Sequence, residues 1–338
     1  MVRNAWMLGL LALVACKGDK DGSDSGGDSV PESCGVGISS TYPDGSEGFY
    51  YRGTIEVTFD AADPSATVSV KDSAGADVPG SSEWSEDGLV LYFSPSSPLQ
   101  GASSYTLVID YCTATGVEVP FMTSEVGSEV DSAGLVGKSF KIDLSSARFI
   151  QPEGIGSLLG EVLEQNILVG VTAIDGTNIQ MTGAISEGTT DAQDMCTPSI
   201  DFPTADFSEN PFFSIGPQDT TISVAGYTAT IGDLEISGAF APDGSYFSGG
   251  VLGGIIDTRT LDDIPDLAEL AGCDGTSDAC LCDFIAGTGF ASCGACPDGS
   301  GDYCLVLEAD QILAEGIEGS IVLVTEDDIA ANPECAAE

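Results

Sequence analysis

The sequence predicts a mainly β protein: an N-terminal antiparallel β-sandwich, then a larger antiparallel β-barrel or sandwich domain with a few short helices and a disulfide-rich segment. Three observations carry this expectation. Runs of alternating apolar and polar residues recur about every ten residues between turn residues, the period of strands buried on one face. Glycine recurs inside the later runs, which suits curved sheets. Six of the 11 cysteines crowd between Cys273 and Cys304.

The chain opens with MVRNAWMLGLLALVAC, in which Arg3 precedes an apolar run from Ala5 to Val14. A bilayer-spanning helix needs about 20 apolar residues, so this shorter run reads as an export signal over residues 1–15. It ends in Leu13-Val14-Ala15-Cys16, which resembles the bacterial lipobox. The resemblance implies that Cys16 is lipidated and becomes the first mature residue, anchoring the protein to the membrane through more than one acyl chain. Lys17, where Asp favours inner-membrane retention, implies the outer membrane, facing the periplasm or the cell surface. Residues 16–33 are rich in Gly, Ser and Asp, with Val30 the one aliphatic residue, and read as a disordered acidic tether. Asp19-Lys20-Asp21-Gly22 lacks the later Glu of a calcium loop. Asp24-Ser25-Gly26 lacks the apolar strand that precedes an aspartic-protease triplet.

Between 34 and 126, alternation places Ile55, Val57 and Phe59 on one face, then Val68 and Val70, Leu89, Leu91 and Phe93, Tyr105, Leu107 and Ile109, and Val117, Val119 and Phe121. Period two with regular turns indicates a sandwich. Pro43-Asp44-Gly45, the Ile55–Phe59 strand, a Pro-x-x-Pro-Leu before the Tyr105 strand and the closing Phe121-Met122-Thr123 resemble the bacterial Ig-like domains of S-layer and surface proteins. That family implies a spacer or binding module and brings no catalytic residues. Cys34 and Cys112 are the cysteines of this domain, and one bridge between them is expected.

A linker at 127–134 leads to the second domain, 135–338. Strands are expected at 136–144, 167–174, 177–186, 219–224, 227–240, 246–258, 303–311 and 319–327. Ile155, Leu158, Leu159, Val162 and Leu163 share one helical face over 152–165, and 260–272 reads as a short capped helix. QMTGAIS and EISGAFA share an order of residue types that aligns Gly183 with Gly238. The layout resembles that of uncharacterised Gram-negative lipoproteins, which contributes no site.

Composition narrows the chemistry. There are 54 acidic residues against 9 basic ones and no histidine, for a formal charge of −45. Phosphate binding needs a basic surface, so nucleic acid is excluded as a partner. The lack of histidine excludes Ser–His–Asp and Cys–His machinery and every His-containing zinc site. Cys293-Gly294-Ala295-Cys296 admits a zinc or dithiol reading. However, a second zinc knuckle is missing, and a turn signal (Pro297-Asp298-Gly299) follows where a redox helix should open. Export favours disulfides. Subtracting Cys16 leaves ten cysteines: Cys34 and Cys112, then Cys196, Cys273, Cys280, Cys282, Cys293, Cys296, Cys304 and Cys335. Cys196 or Cys335 is expected to tie the crowded segment to the barrel body. Asp257, Asp262 and Asp263, with Asp266, cluster about Arg259 as a weak calcium candidate set. Against it stands a solvated acidic helix start. Ser139 beside Lys138 and Lys141 invites a Ser–Lys dyad, with an ordinary strand surface as the competing reading.

These features predict a lipid-anchored, non-catalytic envelope protein without cofactor, in a structural, adhesive or ligand-binding role toward a protein or carbohydrate. The alternatives are a carboxylate-based polysaccharide hydrolase, or a β-barrel carrier of a small molecule or lipid.

Overall fold

The computed structural model describes residues 35–45, 47–112, 114–144, 147–152, 165–224, 227–261, 268–269, 271–274, 277–288 and 291–335. The expected export signal and tether, Cys16, Cys34, Asp262, Asp263, Asp266 and nearly all of the expected 152–165 helix lie outside them. Of the expected 260–272 helix, 260 ends a 3-10 turn, 261 and 272 are turns, 268–269 and 271 are helical, and the rest lies outside the described residues.

The first module is a two-sheet sandwich. Strands β1 (Ile38–Tyr42), β3 (Ile55–Phe59), β6 (Val90–Pro95) and β5 (Gly80–Trp84) form one sheet in the order β1-β3-β6-β5. Strands β2 (Glu47–Phe49), β8 (Ala114–Thr123), β7 (Ser104–Tyr111) and β4 (Thr67–Asp72) form the other in the order β2-β8-β7-β4. Alternation works as expected: Ile55, Val57 and Phe59 from one sheet meet Val70, Leu107 and Ile109 from the other, all buried. Sequence patterning missed β5 because Gly-Ser-Ser-Glu-Trp is an edge strand, almost wholly exposed, with no face to bury.

The second module is one ten-stranded sheet curled into a nearly closed barrel. Its strands are β9 (Ser139–Asp143), β10 (Arg148–Gln151), β11 (Ile167–Asp175), β12 (Asn178–Ile185), β13 (Ile200–Asp201), β14 (Ala205–Asp206), β15 (Phe212–Val224), β16 (Tyr227–Phe240), β17 (Tyr246–Asp257) and β18 (Cys304–Ile317). The order is β13-β12-β11-β9-β18-β17-β16-β15, with β10 on β18 and β14 on β12. Phe140, Phe213, Phe240 and Phe247 fill the interior, each fully buried, with ring centroids between 4.7 and 6.0 Å apart. The two aligned glycines serve these and similar rings. A Cβ on Gly238 would lie 2.9 Å from the Phe247 ring, and one on Gly183 would lie 3.0 Å from the Phe202 ring. Both therefore mark close approach of an aromatic ring to the backbone.

Three boundaries differ from expectation. β15 starts at Phe212 rather than 219, because Gly216-Pro217 sits at a bulge in an edge strand, where proline is tolerated. β18 runs on to Ile317 through another irregularity at Gln311 (φ 57°). Residues 319–325 form no strand. They belong to a C-terminal strap, 318–335, that crosses the β9–β11–β12 face. Four helical elements complete the described residues outside 268–271. These are α1 (Ser132–Leu135, capped by Asp131), a 3-10 turn (Thr258–Thr260), α2 (Cys280–Thr288) and α3 (Glu326–Ala331).

The two modules share a buried joint within one compact unit. Arg52 places its guanidinium 4.1 Å from the Phe212 ring centroid and pairs with Glu209. Arg148 bridges Glu56 of the sandwich and Asp310 of β18, at 2.9 and 2.6 Å. The Tyr50 ring lies against Gly249, where a Cβ would fall 2.2 Å from it. Ala239 packs into the sandwich core, and the Tyr246 hydroxyl donates to Glu125 at 3.1 Å.

Candidate functional site

The crowded cysteines are covalent staples. Cys273 bonds Cys280, Cys282 bonds Cys293 and Cys296 bonds Cys304. Each bridge closes a short loop, and together they pin α2 against the start of β18. Cys196 and Cys335 bond each other, so neither ties this segment to the barrel body. They fasten the strap instead. Cys112 is disulfide-bonded with a partner outside the described residues. The Cys293–Cys296 pair is thus split between two bridges and offers no dithiol. Asp257, Cys296 and Cys304 bring potential ligand atoms together, but the two sulfurs are bonded to each other and no thiolate is left for a metal.

Of the calcium candidates, Asp262 and Asp263 lie outside the described residues, and Asp257 pairs with Arg259. It receives Arg259 Nε at 2.9 Å and Nη2 at 2.5 Å, and this pairing holds its carboxyl below the usual range. Arg259 also lies over the Tyr303 ring and near Asp298.

Ser139 is buried rather than on a strand surface, and its Oγ accepts from the Ile321 amide at 3.0 Å. Lys138 donates to the carbonyls of Asp243 and Gly244, while Lys141 pairs with Asp191. Hence neither lysine serves as a base for Ser139. Ser139 instead helps hold the strap. Gln193 receives the Val322 amide and donates to the Val322 carbonyl, both near 2.9 Å, and Ser199 bonds Val322 and Val324. Ile321 seats over Gly170, where a Cβ would fall 2.6 Å from its own Cβ, and covers Leu168 and Ala184.

Two open depressions mark the described surface. One, of about 580 Å³, lies on the outer face of the sandwich by Lys71, Asp72, Ser104 and Glu118. The other, of about 420 Å³, lies on the outer face of β16, β17 and β18. Its floor is Gly253 with Val251, Ile255 and Val306, and its rim carries Asp233, Glu235 and Glu308. No motif announced this trough. Its one sequence signal is the outward alternation of Val251, Gly253 and Ile255 within a glycine-rich strand.

Where an aspartate among the described residues is displaced from its ordinary pKa, it is displaced downward, by hydrogen bonds from hydroxyls, backbone amides or Arg259. Asp63, Asp206, Asp243 and Asp298 are examples.

Residues 35–117 match the family of bacterial Ig-like domains. No curated protein matches the sequence. Among solved structures, an L,D-transpeptidase from Mycobacterium smegmatis aligns at 14% identity, covering 46% of this chain and 78% of its own, with a TM-score of 0.22. The N-terminal part of the bacterial S-layer protein SbsC aligns at 14% identity over 49% of this chain and 43% of its own, with a TM-score of 0.22. Domains 1–6 of SbsC align at 13% identity over 66% and 32%, again at 0.22. Superpositions this loose carry no argument about the whole chain.

Proposed function

We propose that the protein is a non-catalytic structural module of the bacterial cell envelope, held at the outer membrane by lipidated Cys16. A tether over residues 16–33 carries a body in which the Ig-like sandwich and the barrel are fused. The observation that carries this reading is the filled aromatic interior of the barrel together with the buried joint to the sandwich. A body whose described interior is packed with aromatic side chains suits a strut or adhesive scaffold better than a carrier, which needs a hollow apolar interior.

Replacing Cys16 by Ala tests the anchor. The variant is expected in the soluble envelope fraction, while the parent partitions with membranes. Retention of the variant in membranes refutes lipid anchoring at Cys16.

A further inference from the structure

We propose that the trough on the outer face of β16, β17 and β18 docks an extended basic segment of a protein partner, with one Arg or Lys side chain lying across Gly253. Glu235 pairs with Gly253, and Gly253 with Glu308, so the three residues form one row across three strands. Side chains in such a row share a face. The row reads carboxylate, notch, carboxylate, and a Cβ on Gly253 would meet nothing within 4 Å. Val251 (39% exposed) and Val306 (48% exposed) border the notch and are among the few large apolar side chains left in solvent.

Charge selects the occupant. Six of the 9 basic residues are described, and all six are engaged elsewhere: Arg52, Lys71, Lys141, Arg148 and Arg259 with carboxylates, and Lys138 with carbonyls. No described cation of this chain therefore answers Glu235 or Glu308, although Glu235 accepts from Ser214 Oγ. The two facing carboxylates alone offer far fewer oxygens than the roughly six to eight a calcium ion takes. A long basic side chain fits this row. Its aliphatic stem covers the valines and its charged head reaches a rim carboxylate.

The test uses the full mature protein and a fluorescent heptapeptide, acetyl-Val-Thr-Val-Arg-Val-Thr-Val-amide, with a Gln-for-Arg version as reference. Anisotropy is read in about 0.15 M salt, where the Debye length is about 8 Å and diffuse attraction to an acidic protein is screened. The Arg peptide should bind saturably and the Gln peptide about tenfold more weakly. The Gly253→Val variant fills the notch and should abolish binding with an unchanged circular dichroism spectrum. The Glu235→Gln/Glu308→Gln variant should weaken binding about tenfold, whereas Glu83→Gln/Glu129→Gln, an equal loss of charge elsewhere, should leave it intact. Equal weakening by the control pair, displacement of the peptide by millimolar calcium, or no saturable binding each overturns the proposal.

Discussion

Removing the Cys196–Cys335 bridge gives the sharpest test of how the C-terminal strap is fastened. The bond joins residues 139 apart, far more than the 7, 11 and 8 of the inner bridges. In the chain-entropy account, a loop of that length stabilises the folded state by about 5 kcal/mol. The inner bridges shorten the loop only modestly, and the dependence is logarithmic, so the figure barely changes. Replacing both cysteines by Ser leaves Ile321, Gln193 and Ser199 in place and opens no core cavity, so no further loss is expected. Urea unfolding of the variant and parent, both non-reduced, measures the difference directly. The expected loss is about 3–5 kcal/mol, read as a fall in midpoint. A loss below about 1 kcal/mol refutes the claim that this bridge constrains the unfolded chain.

Other expectations follow from particular contacts. Gly238→Ala pushes a methyl into the Phe247 ring and should cost about 1–3 kcal/mol by thermal unfolding, whereas Gly253→Ala, facing open space, should cost much less. Arg148→Met removes the interdomain ion pair with Glu56 and the pair with Asp310 inside the barrel. Because Arg148 is 43% exposed, the coupling to Glu56 in a double-mutant cycle should stay near or below about 1 kcal/mol. Asp63 is buried, accepts from Ser65 and the Cys112 amide, and has a depressed pKa. Its stabilisation is therefore present above the unfolded carboxyl value of about 3.9 and lost as pH falls through the folded value. The stability gap between the parent and Asp63→Asn should narrow in acid, and a gap that widens below about pH 4 contradicts this sign. Thiol titration of the unreduced, unfolded mature protein should find essentially no free cysteine.

Strand faces with one buried side were legible in the sequence, as Ile55–Phe59 and Ser104–Tyr111 illustrate. Period two is a direct imprint of the pleat on one hydrophobic face. Polar edge strands such as Gly80–Trp84 carry no such imprint. The strap was misread because Ser320-Ile321-Val322-Leu323-Val324 has strand composition, yet it is held by side chains of Gln193, Ser199 and Ser139 rather than by a ladder. The use of cysteine for staples was readable from the crowding and even count of the cysteines left after setting Cys16 aside, but the pairing was not, since eight cysteines allow 105 connectivities. The trough is invisible locally because Glu235, Gly253 and Glu308 meet only through strand register.

The fusion of sandwich and barrel into one body can be tested with a single experiment. Trp84, beside Phe59, is the one tryptophan apart from Trp6 and reports on the sandwich. Far-ultraviolet circular dichroism reports chiefly on the ten-stranded barrel. Denaturation of the mature protein followed by both signals should give superimposable curves, the mark of one cooperative unit. Two separated transitions, with Trp84 changing apart from the barrel, contradict the account.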